Sequence, residues 1–351
     1  MTYNLECPVT GYKGTDVVTK AHGGGGKEMQ KLIKEMFTKA FPYLQSKYDA
    51  ALLKISDPTQ MVVTTDSFVL EQLTFPGGNI GSLSVHGTVN DLVMMGAKPL
   101  YMTVSFILEE GLPMRRLKLL VSLLARAAKK AGIKIVTGDT KVVECSHTNP
   151  GIYINTTGIG FEECTKKQVP HLNKISVGDK VIVSGDVARH GMAIMSVREG
   201  LELDTPIRSD SAHLCFMVDG LHKRKVFPAF MRDATRGGVA TVFNEVARDS
   251  KIHIHIDEEK VPVDDDVRGL CEILGYDPLT VANEGRFILF VRPHQAQKVV
   301  EILRQFEGGE QATIIGEVVA EHKSGLVTAK TLLGFEKIIH MPAGELLPRI
   351  C

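Results

Sequence analysis

Four aspartates lie in segments that are otherwise apolar, next to residues typical of turns. Asp66 follows MVVTT, Asp91 lies in TVNDLVMMG, Asp139 in IVTGDTK and Asp233 in MRDATRGG. A carboxylate loses hydration in such surroundings unless a cation or hydrogen-bond donors replace the water. A hard divalent ion such as Mg²⁺, joined to substrate phosphates, would compensate these carboxylates together. Helix caps and turns are the alternative explanation, because Asp favours both.

A run of glycines precedes the first helical pattern, in the segment HGGGGK at residues 22–27. Glycines let backbone N–H groups point at an anion, which is how phosphate loops work. The P-loop pattern fails, however, because residue 21 is Ala and Lys27 is followed by Glu28. Two interpretations stay open for the run: a flexible hinge, or a lid that closes over phosphates.

Several polar residues close to the aspartates or the glycine run are further candidates. Lys141 and Arg236 could contact phosphoryl oxygens or could be solvated surface charges. Glu284 lies in Asn-Glu-Gly before the apolar strand FILFV, as a functional residue or as part of a turn. His22 precedes the glycines. The pair His253 and His255 alternates with isoleucines and is interpreted as a surface pair on one strand.

The sequence contains six cysteines and ends in one of them, Cys351. None forms a C-x-x-C pair, which argues against zinc and iron-sulfur sites. Residues 341–351 carry Pro342, Gly344 and Pro348, which discourage regular structure. Fully extended, these residues would span roughly 35 to 40 Å. A terminal thiol on such an arm is either part of a frayed end or a functional group that can reach distant sites.

Charge and hydropathy exclude several classes of protein. The chain has 351 residues, with 41 Lys and Arg against 41 Asp and Glu. A neutral balance argues against nucleic acid and anionic membranes as partners. No apolar run is long enough to span a membrane, and no secretory signal begins the sequence, so we expect a cytoplasmic protein with reduced thiols.

Helical and strand patterns alternate along the chain, which predicts a mixed α and β fold, α+β in class. The first half predicts helices at residues 29–40, 82–95 and 114–130, and strands at 61–65, 101–108, 133–136 and 152–161. A polar stretch at 169–178 predicts a domain boundary. We therefore expect an N-terminal domain at 1–168, a C-terminal domain at 169–338 and a flexible tail at 339–351.

The motifs taken together resemble those of the HypE family of hydrogenase maturation proteins, within the PurM-like ATP-binding superfamily. The resemblance covers nearly the whole chain and is carried by HGGGGK, TTDSFVLEQLTFPGGNIG, GTVNDLVMMGAKPLY, GIKIVTGDTKVV, RDATRGGVATVFNEVA and the ending LPRIC. The LPRIC ending distinguishes HypE from other superfamily members. Asn79 stands where relatives often carry Asp, so this position is not counted as a metal ligand.

The resemblance implies an ATP-dependent carbamoyl dehydratase that converts a carbamoyl group on the Cys351 thiol to a thiocyanate, for the cyanide ligands of nickel-iron hydrogenases. It implies ATP and Mg²⁺ as cofactors. Implied catalytic residues are Cys351, Glu284, Lys141 and His22. Implied ATP-binding residues are Asp66, Asn90, Asp91, Gly138, Asp139, Thr140, Asp233, Arg236 and Gly237. Implied Mg²⁺ ligands are Asp66, Asp91, Asp139 and Asp233.

The same resemblance implies a PurM-like two-domain architecture, with an N-terminal domain that forms a β-barrel across a homodimer. It implies the carbamoyltransferase HypF and a HypC-HypD iron scaffold as partners. Two alternatives stay open: another PurM-like enzyme that phosphorylates a small-molecule amide, and a non-catalytic, nucleotide-gated carrier or scaffold.

Overall fold

The computed structural model describes residues 26–34, 51–54, 60–145, 150–162, 168–201, 207–331 and 333–342. A short helix, α1 (Lys27–Leu32), follows the glycine run. The rest of the described chain is built on two large sheets with helices against them, plus a small hairpin of β3 (Thr74–Phe75) and β4 (Gly78–Asn79).

The first sheet has five strands in the order β1-β2-β7-β5-β6. These strands are β1 (Ala51–Lys54), β2 (Gln60–Val69), β5 (Ala97–Glu109), β6 (Lys134–Val143) and β7 (Ile152–Glu162). Only β5 and β6 are parallel; the other neighbours are antiparallel. Burial alternates along β7, because one face of the sheet meets helices and the other does not. Among the described strands the sheet is open, with β1 and β6 at its edges.

Helix α2 (Ile80–Met94) lies on the covered face, against β2, β5 and β7. It is buried on nearly all sides, and its buried residues include the polar Ser84, Thr88 and Asn90. Asn79 caps it: its Oδ1 accepts from the Ser82 N–H at 2.9 Å. This capping box explains Asn79 without a metal. Helix α3 (Met114–Ala131) packs its apolar stripe on α2 and ends at Gly132, whose φ of 74° suits a left-handed cap.

The second sheet has seven strands in the order β14-β13-β10-β12-β8-β11-β9. Its strands are β8 (Lys180–Val183), β9 (Phe230–Asp233), β10 (Ile252–Asp257), β11 (Phe287–Val291), β12 (Thr313–Glu321), β13 (Leu326–Lys330) and β14 (Glu336–Ile338). The helices of this half are α4 (Arg189–Arg198), α5 (Cys215–Lys223), α6 (Gly238–Ser250), α7 (Asp265–Leu274) and α8 (Pro293–Leu303).

One apolar core runs from the first half of the chain into the second. It joins α2 side chains such as Leu83 and Leu92 to Leu289 on β11 and Leu303 on α8. A second core lies between α6 and the other face of the seven-stranded sheet, around Phe243 and Phe290. The shared core holds the end of β9 close to α2, and this contact creates the candidate site.

Two predicted strands extend further than the sequence pattern indicated. The strand predicted at 61–65 runs to Val69, so Asp66 lies within β2 instead of after it. The strand predicted at 133–136 runs to Val143, so Asp139 and Lys141 lie within β6. Gly138 was interpreted as part of a turn, but a Cβ there would lie 2.3 Å from the Val104 carbonyl oxygen. This glycine permits the close approach of β5 and β6.

No helix in the described ranges is both long and apolar enough to cross a membrane.

Candidate functional site

Asp66 and Asp91 face each other between β2 and α2. The Asp91 Oδ2 accepts from the Thr64 hydroxyl at 2.6 Å, and Thr64 lies two residues before Asp66 on the same face of β2. The Asp66 Oδ2 lies 3.3 Å from where a Cβ on Gly87 would stand, one helical turn before Asp91. Strand and helix spacing therefore bring both residues to the same contact between β2 and α2. The prediction that both belong to one site fits this arrangement.

Asp233 and Glu284 approach the same place from the second sheet. Asp233 is the last residue of β9 and pairs with Phe287 of β11, so Glu284, three residues before Phe287, lies beside it. Both side chains are buried, Asp233 at 6% exposure and Glu284 at 3%. Burial raises the pKa of Glu284 well above its usual value, and the charges of Asp233, Asp66 and Asp210 raise it further.

Arg236 is the cation of this cluster and joins the two halves of the chain. Its Nη2 lies 3.9 Å from the Asp66 Oδ1. Burial raises the pKa of Asp66, while the Arg236 charge and the N–H of Ser67 oppose that rise. Arg236 also lowers the pKa of Glu284, although less than burial and the neighbouring carboxylates raise it. The cluster therefore has more carboxylates than cations, which is the condition for binding a divalent ion.

Gly237 and Gly238 form the turn that begins α6, with φ of 72° and 60°. A Cβ on Gly238 would lie 2.6 Å from the carbonyl oxygens of both Leu279 and Val281, so only glycine fits. Within the described residues the buried hydroxyl of Thr241, one turn into α6, has no hydrogen-bond partner. The start of α6 therefore combines an arginine, two glycines and an unused hydroxyl near the acidic cluster, a combination suited to phosphate oxygens.

Asn90 is held by protein groups instead of facing open space. Its Nδ2 donates to the Ala212 carbonyl at 3.0 Å and to the Glu284 carbonyl at 3.4 Å. Its Oδ1 accepts from the Leu214 N–H at 2.8 Å. Asn283 is similarly engaged, accepting from Ala188 and donating to Ala234 and Val281. These two amides fix the backbone around Glu284 and join α2 to the second half of the chain.

The structure does not bring Asp139 and Lys141 to the other aspartates within one chain. Along the sheet, Asp139 pairs with Ser105, Ser105 with Asn155, and Asn155 with Ser67. Three strand spacings of about 4.8 Å put Asp139 about 14 Å from Ser67. Its register also places it on the uncovered face, opposite to Asp66.

On that face Asp139 and Lys141 pair with each other at 2.9 Å and are 61% and 70% exposed. The hydrogen bond from Lys141 lowers the pKa of Asp139, and the Thr140 N–H lowers it further. Gly138 and Thr140 lie beside them on the same edge strand, β6. These four predicted ATP-site residues are thus presented at an open edge of the molecule.

No group of three or more His, Cys, Asp or Glu side chains is ready to hold a metal in the part of the chain that is described. The carboxylates of Asp66, Asp91, Asp233 and Glu284 nevertheless fit Mg²⁺ in type, because oxygen donors and excess negative charge are what this ion requires. Their proximity supports the same conclusion, because the charges of Asp233 and Asp66 raise the pKa of Glu284.

Two predicted site residues, His22 and Cys351, lie outside the described residues, as do Gly23–Gly25 of the glycine run. The described segments next to them come together. The Lys27 N–H donates to the Pro342 carbonyl at 3.3 Å. A Cβ on Gly237 would lie 3.8 Å from the Pro342 ring. The end of the glycine run, the start of the tail and the Gly237 turn therefore meet.

The pair His253 and His255 is not simply a surface pair. Both rings are half-buried, and both bond the Thr328 hydroxyl, at 2.8 and 3.0 Å. Burial, followed by the charges of His255 and His322, lowers the pKa of His253. This pair lies on β10 within the second sheet and takes no part in the candidate site.

Sequence reasoning missed two residues of the site, Asp210 and Thr241. Asp210 lies in IRSDSAHL, where Ser and Asp suggest an ordinary loop. Its immediate neighbours are polar, so the signal that identified the other aspartates is absent. Thr241 carries no signal in the sequence, because only the fold leaves its hydroxyl without a partner.

Two family models match the chain. The model for the N-terminal domain of AIR synthase related proteins matches residues 47–161, and the C-terminal domain model matches residues 176–328. The carbamoyl dehydratase HypE of Rhizobium leguminosarum bv. viciae is 43% identical over 339 residues, which cover 94% of this chain and 94% of that protein. The same enzyme of Escherichia coli (strain K12) is 41% identical over 337 residues, covering 94% and 98%.

Solved structures are similar over the same extent. A crystal structure of a HypE-HypF complex matches with a TM-score of 0.80 and 44% identity, covering 89% of this chain and 99% of that one. A crystal structure of HypE in complex with ATP matches with a TM-score of 0.79 and 40% identity, covering 95% and 100%. A ThiL complexed with AMPPCP and TMP, 20% identical with a TM-score of 0.68, shares the fold.

Proposed function

The chain belongs to the HypE carbamoyl dehydratase family, with a mixed α/β PurM-like fold of two AIR-synthase-related domains, and on that premise we propose how its residues carry out the reaction. It is an ATP-dependent carbamoyl dehydratase of hydrogenase maturation. The observation that carries the residue assignment is the convergence of Asp66, Asp91, Asp233 and Glu284 between the two sheets.

The reaction converts a thiol-bound carbamoyl group, S–CO–NH₂, into a thiocyanate, S–C≡N. Hydroxide is a poor leaving group, so the amide oxygen first takes the γ-phosphoryl group of ATP. The carbon–oxygen bond then breaks, phosphate leaves with that oxygen, and the nitrogen loses two protons. The protein must therefore position the amide beside the phosphates, neutralise phosphoryl charge and accept a proton.

Glu284 is the proposed proton acceptor. Its raised pKa makes its carboxylate a stronger base than an exposed Glu, and its burial keeps water away from the group it serves. Asn90 and Asn283 hold the backbone on either side of it. In this proposal the phosphates are held at the α6 turn, while proton removal takes place at Glu284.

Asp66, Asp91 and Asp233 are the proposed Mg²⁺ ligands. Mg²⁺ there would neutralise phosphate oxygens and favour phosphoryl transfer. Arg236, Gly237 and the Thr241 hydroxyl are the proposed phosphate contacts, since a cation and a hydroxyl without a partner among the described groups lie at the glycine turn that begins α6. The glycine run with His22 is proposed to close over the nucleotide, because its end at Lys27 is anchored beside this turn.

A homodimer is proposed to supply Gly138, Asp139, Thr140 and Lys141 to the site of the partner copy. Strand β6 is exposed along its whole length, and no described strand pairs with its outer edge. Apolar side chains are exposed there and on β5: Ile107, Ile135, Val136 and Val142. A long, exposed, apolar edge strand is a liability that a second copy would cover. Joining two such sheets would give the dimer-spanning barrel that the resemblance implies.

Cys351 is the proposed carrier of the carbamoyl group. It lies nine residues beyond Pro342, so an extended tail reaches at most about 30 Å from that anchor. The anchor stands beside the Gly237 turn, so the thiol can reach the phosphate site and also leave it.

HypF is a proposed partner, since a related chain is found in a HypE-HypF complex. A HypC-HypD scaffold as the cyanide acceptor and a cytoplasmic location, which keeps the thiol reduced, complete the proposal.

Intact-mass spectrometry of the tail peptide tests the assignment. The protein is incubated with the carbamoyltransferase, carbamoyl phosphate and ATP, and then with Mg²⁺-ATP alone. We expect Cys351 first to gain a carbamoyl group and then to lose one water, with one ADP released per conversion. Cys351→Ala should gain nothing, and Cys215→Ala, a buried thiol far from the tail in sequence, should behave as the parent. Carbamoylation of Cys351→Ala would show that the carrier is another residue.

A further inference from the structure

Residues 207–214 contact both halves of the chain: Ser209 bonds Pro76, and Asp210 bonds the backbone of Glu284. Asp210, in this segment, is 8% exposed. Its Oδ2 accepts two backbone hydrogen bonds, from the Glu284 N–H at 3.1 Å and the Gly285 N–H at 2.9 Å. A single carboxylate oxygen thus clamps the main chain of the proposed base and of the residue after it.

Glycine at position 285 is required for this clamp. A Cβ there would lie 2.0 Å from the Asp210 carbonyl oxygen and 3.1 Å from the Ala212 nitrogen. Any other residue would push the segment 207–214 away from Glu284. The residues on both sides of Glu284 therefore have a structural role. Asn283 donates to the carbonyl of Ala234, directly after β9, and Gly285 leaves room for the backbone of Asp210.

The other side of Glu284 is held through the same segment. Asn90, on α2, donates to the Glu284 carbonyl and also bonds Ala212 and Leu214. Glu284 thus has its N–H held by Asp210, while its C=O accepts from Asn90 and from the Ala212 N–H at 3.3 Å. Asp210 and Asn90 are joined through residues 210–214. These hydrogen bonds couple the position of α2 to the position of the Glu284 backbone.

We propose that Asp210 is a positioning residue, which holds the Glu284 backbone so that the carboxylate meets the reacting amide. This inference rests on the proposed function, in which Glu284 accepts a proton. Asp210 does not touch the substrate; it acts through Glu284. Misplacement of a reacting group by about 1 Å costs on the order of 100-fold in rate, so loss of this clamp lowers the dehydration rate while ATP binding, which depends on other residues, is kept.

Two substitutions separate the clamp from the charge. Asp210→Asn keeps an oxygen that can accept both N–H groups, whereas Asp210→Ala removes it. We expect single-turnover dehydration of the carbamoylated protein to fall about 100-fold in Asp210→Ala and to recover to within about 5-fold of the parent in Asp210→Asn. The KM for ATP should change less than about 3-fold in both. Hydrogen exchange at Glu284 and Gly285 should accelerate only in Asp210→Ala.

Asp179 provides the matched control. It is 1% exposed and also clamps backbone, accepting from the Ser176 N–H at 2.9 Å, but it lies at the start of β8 and bonds Arg292. Asp179→Ala should lose stability with its dehydration rate kept. A parental rate in Asp210→Ala, equal losses in Asp210→Ala and Asp210→Asn, or unchanged exchange at Glu284 each overturns the proposal.

Glu284→Gln, measured beside these variants, separates two failures. If Glu284→Gln loses its rate while Asp210→Ala keeps it, only the role of Asp210 is wrong. If Glu284→Gln keeps the parental rate, the assignment of the base is wrong, and the role of Asp210 falls with it.

Discussion

The backbone N–H of Lys27 donates to the carbonyl oxygen of Pro342, at 3.3 Å. These residues are the end of the glycine run and the start of the segment that leads to Cys351. They are more than three hundred positions apart in the sequence, and the bond places both beside the Gly237 turn. The anchor of the tail and the anchor of the proposed lid are therefore one structural unit.

Replacing Lys27 by Pro should release this unit. Proline removes the N–H donor, and its fixed φ suits the first position of α1, so the helix itself is preserved. Loss of one hydrogen bond of about 1 kcal/mol should speed hydrogen exchange at residues 338–341 about 5-fold. Lys27→Ala, which keeps the N–H and removes the ammonium group, is the control. Equal exchange in the two variants would contradict the importance of the bond.

Glu284→Gln should stabilise the protein while abolishing its chemistry. Because the pKa of Glu284 is raised from 4.5 in the folded protein, the folded state binds this proton more tightly than the unfolded state. Stability from this group is therefore present at low pH and is lost as pH rises from about 4.5 through the raised pKa. Gln, which carries no charge, avoids that loss.

We expect the Tm of Glu284→Gln to exceed that of the parent by a few degrees at pH 8 and to approach it near pH 4.5. Its dehydration rate should fall at least about 100-fold. Asp179→Asn, which removes a buried carboxylate elsewhere, should lower the Tm. A Tm for Glu284→Gln below that of the parent at pH 8 would contradict the raised pKa.

Mixing two inactive variants tests the proposed exchange of residues between copies. Asp66→Asn damages the covered face of β2, and Asp139→Asn damages the exposed edge strand. If Asp139 serves the partner's site, a mixed dimer contains one intact site and one doubly damaged site. Half of the dimers in an equal mixture are mixed, so about a quarter of the parental activity should return.

Calorimetry with Mg²⁺-ATP should show both single variants binding at least about 10-fold more weakly than the parent. Lys118→Ala, on the exposed side of α3, should bind as the parent does. Mixing should restore nothing if Asp139 acts within its own chain, and that outcome would contradict the exchange.

Two buried thiols should be inert in the native protein. Burial, with some help from Asp219, raises the pKa of the Cys215 thiol to about 12. Burial, with some help from Asp277, raises the pKa of Cys271 to about 11. At pH 8 their thiolate fractions are roughly 10⁻⁴ and 10⁻³, and the thiolate is the reactive form.

Iodoacetamide at pH 8 should therefore leave Cys215 and Cys271 unlabelled until the protein is unfolded, as peptide mass spectrometry would show. Labelling in denaturant supplies the control that both peptides are detectable. Rapid modification of either thiol in the native protein would contradict its burial.

Residue types and their local order determined much of this account. The pattern at residues 82–95, followed by Gly96, predicts a helix, and α2 spans Ile80–Met94. Isolated aspartates in apolar surroundings predict a charged site of four members. Asp66 and Asp233 both act on Glu284, and Asp91 bonds Thr64 on β2, whereas Asp139 lies apart from them. Family membership, expected from the motifs, is confirmed by relatives at 40% to 43% identity over nearly the whole chain. Each of these signals depends only on neighbours in the sequence.

The tertiary structure decided which of these residues meet. Asp66 and Asp139 each follow an apolar strand in the sequence, yet register places them on opposite faces of one sheet, because side chains alternate with a period of two. Asp210 became part of the site only because Gly285 lets a distant segment touch Glu284. Lys27 meets Pro342 by the same kind of long-range contact. Local patterns specify what a residue can do, whereas register and packing between distant segments decide with which partner it does it.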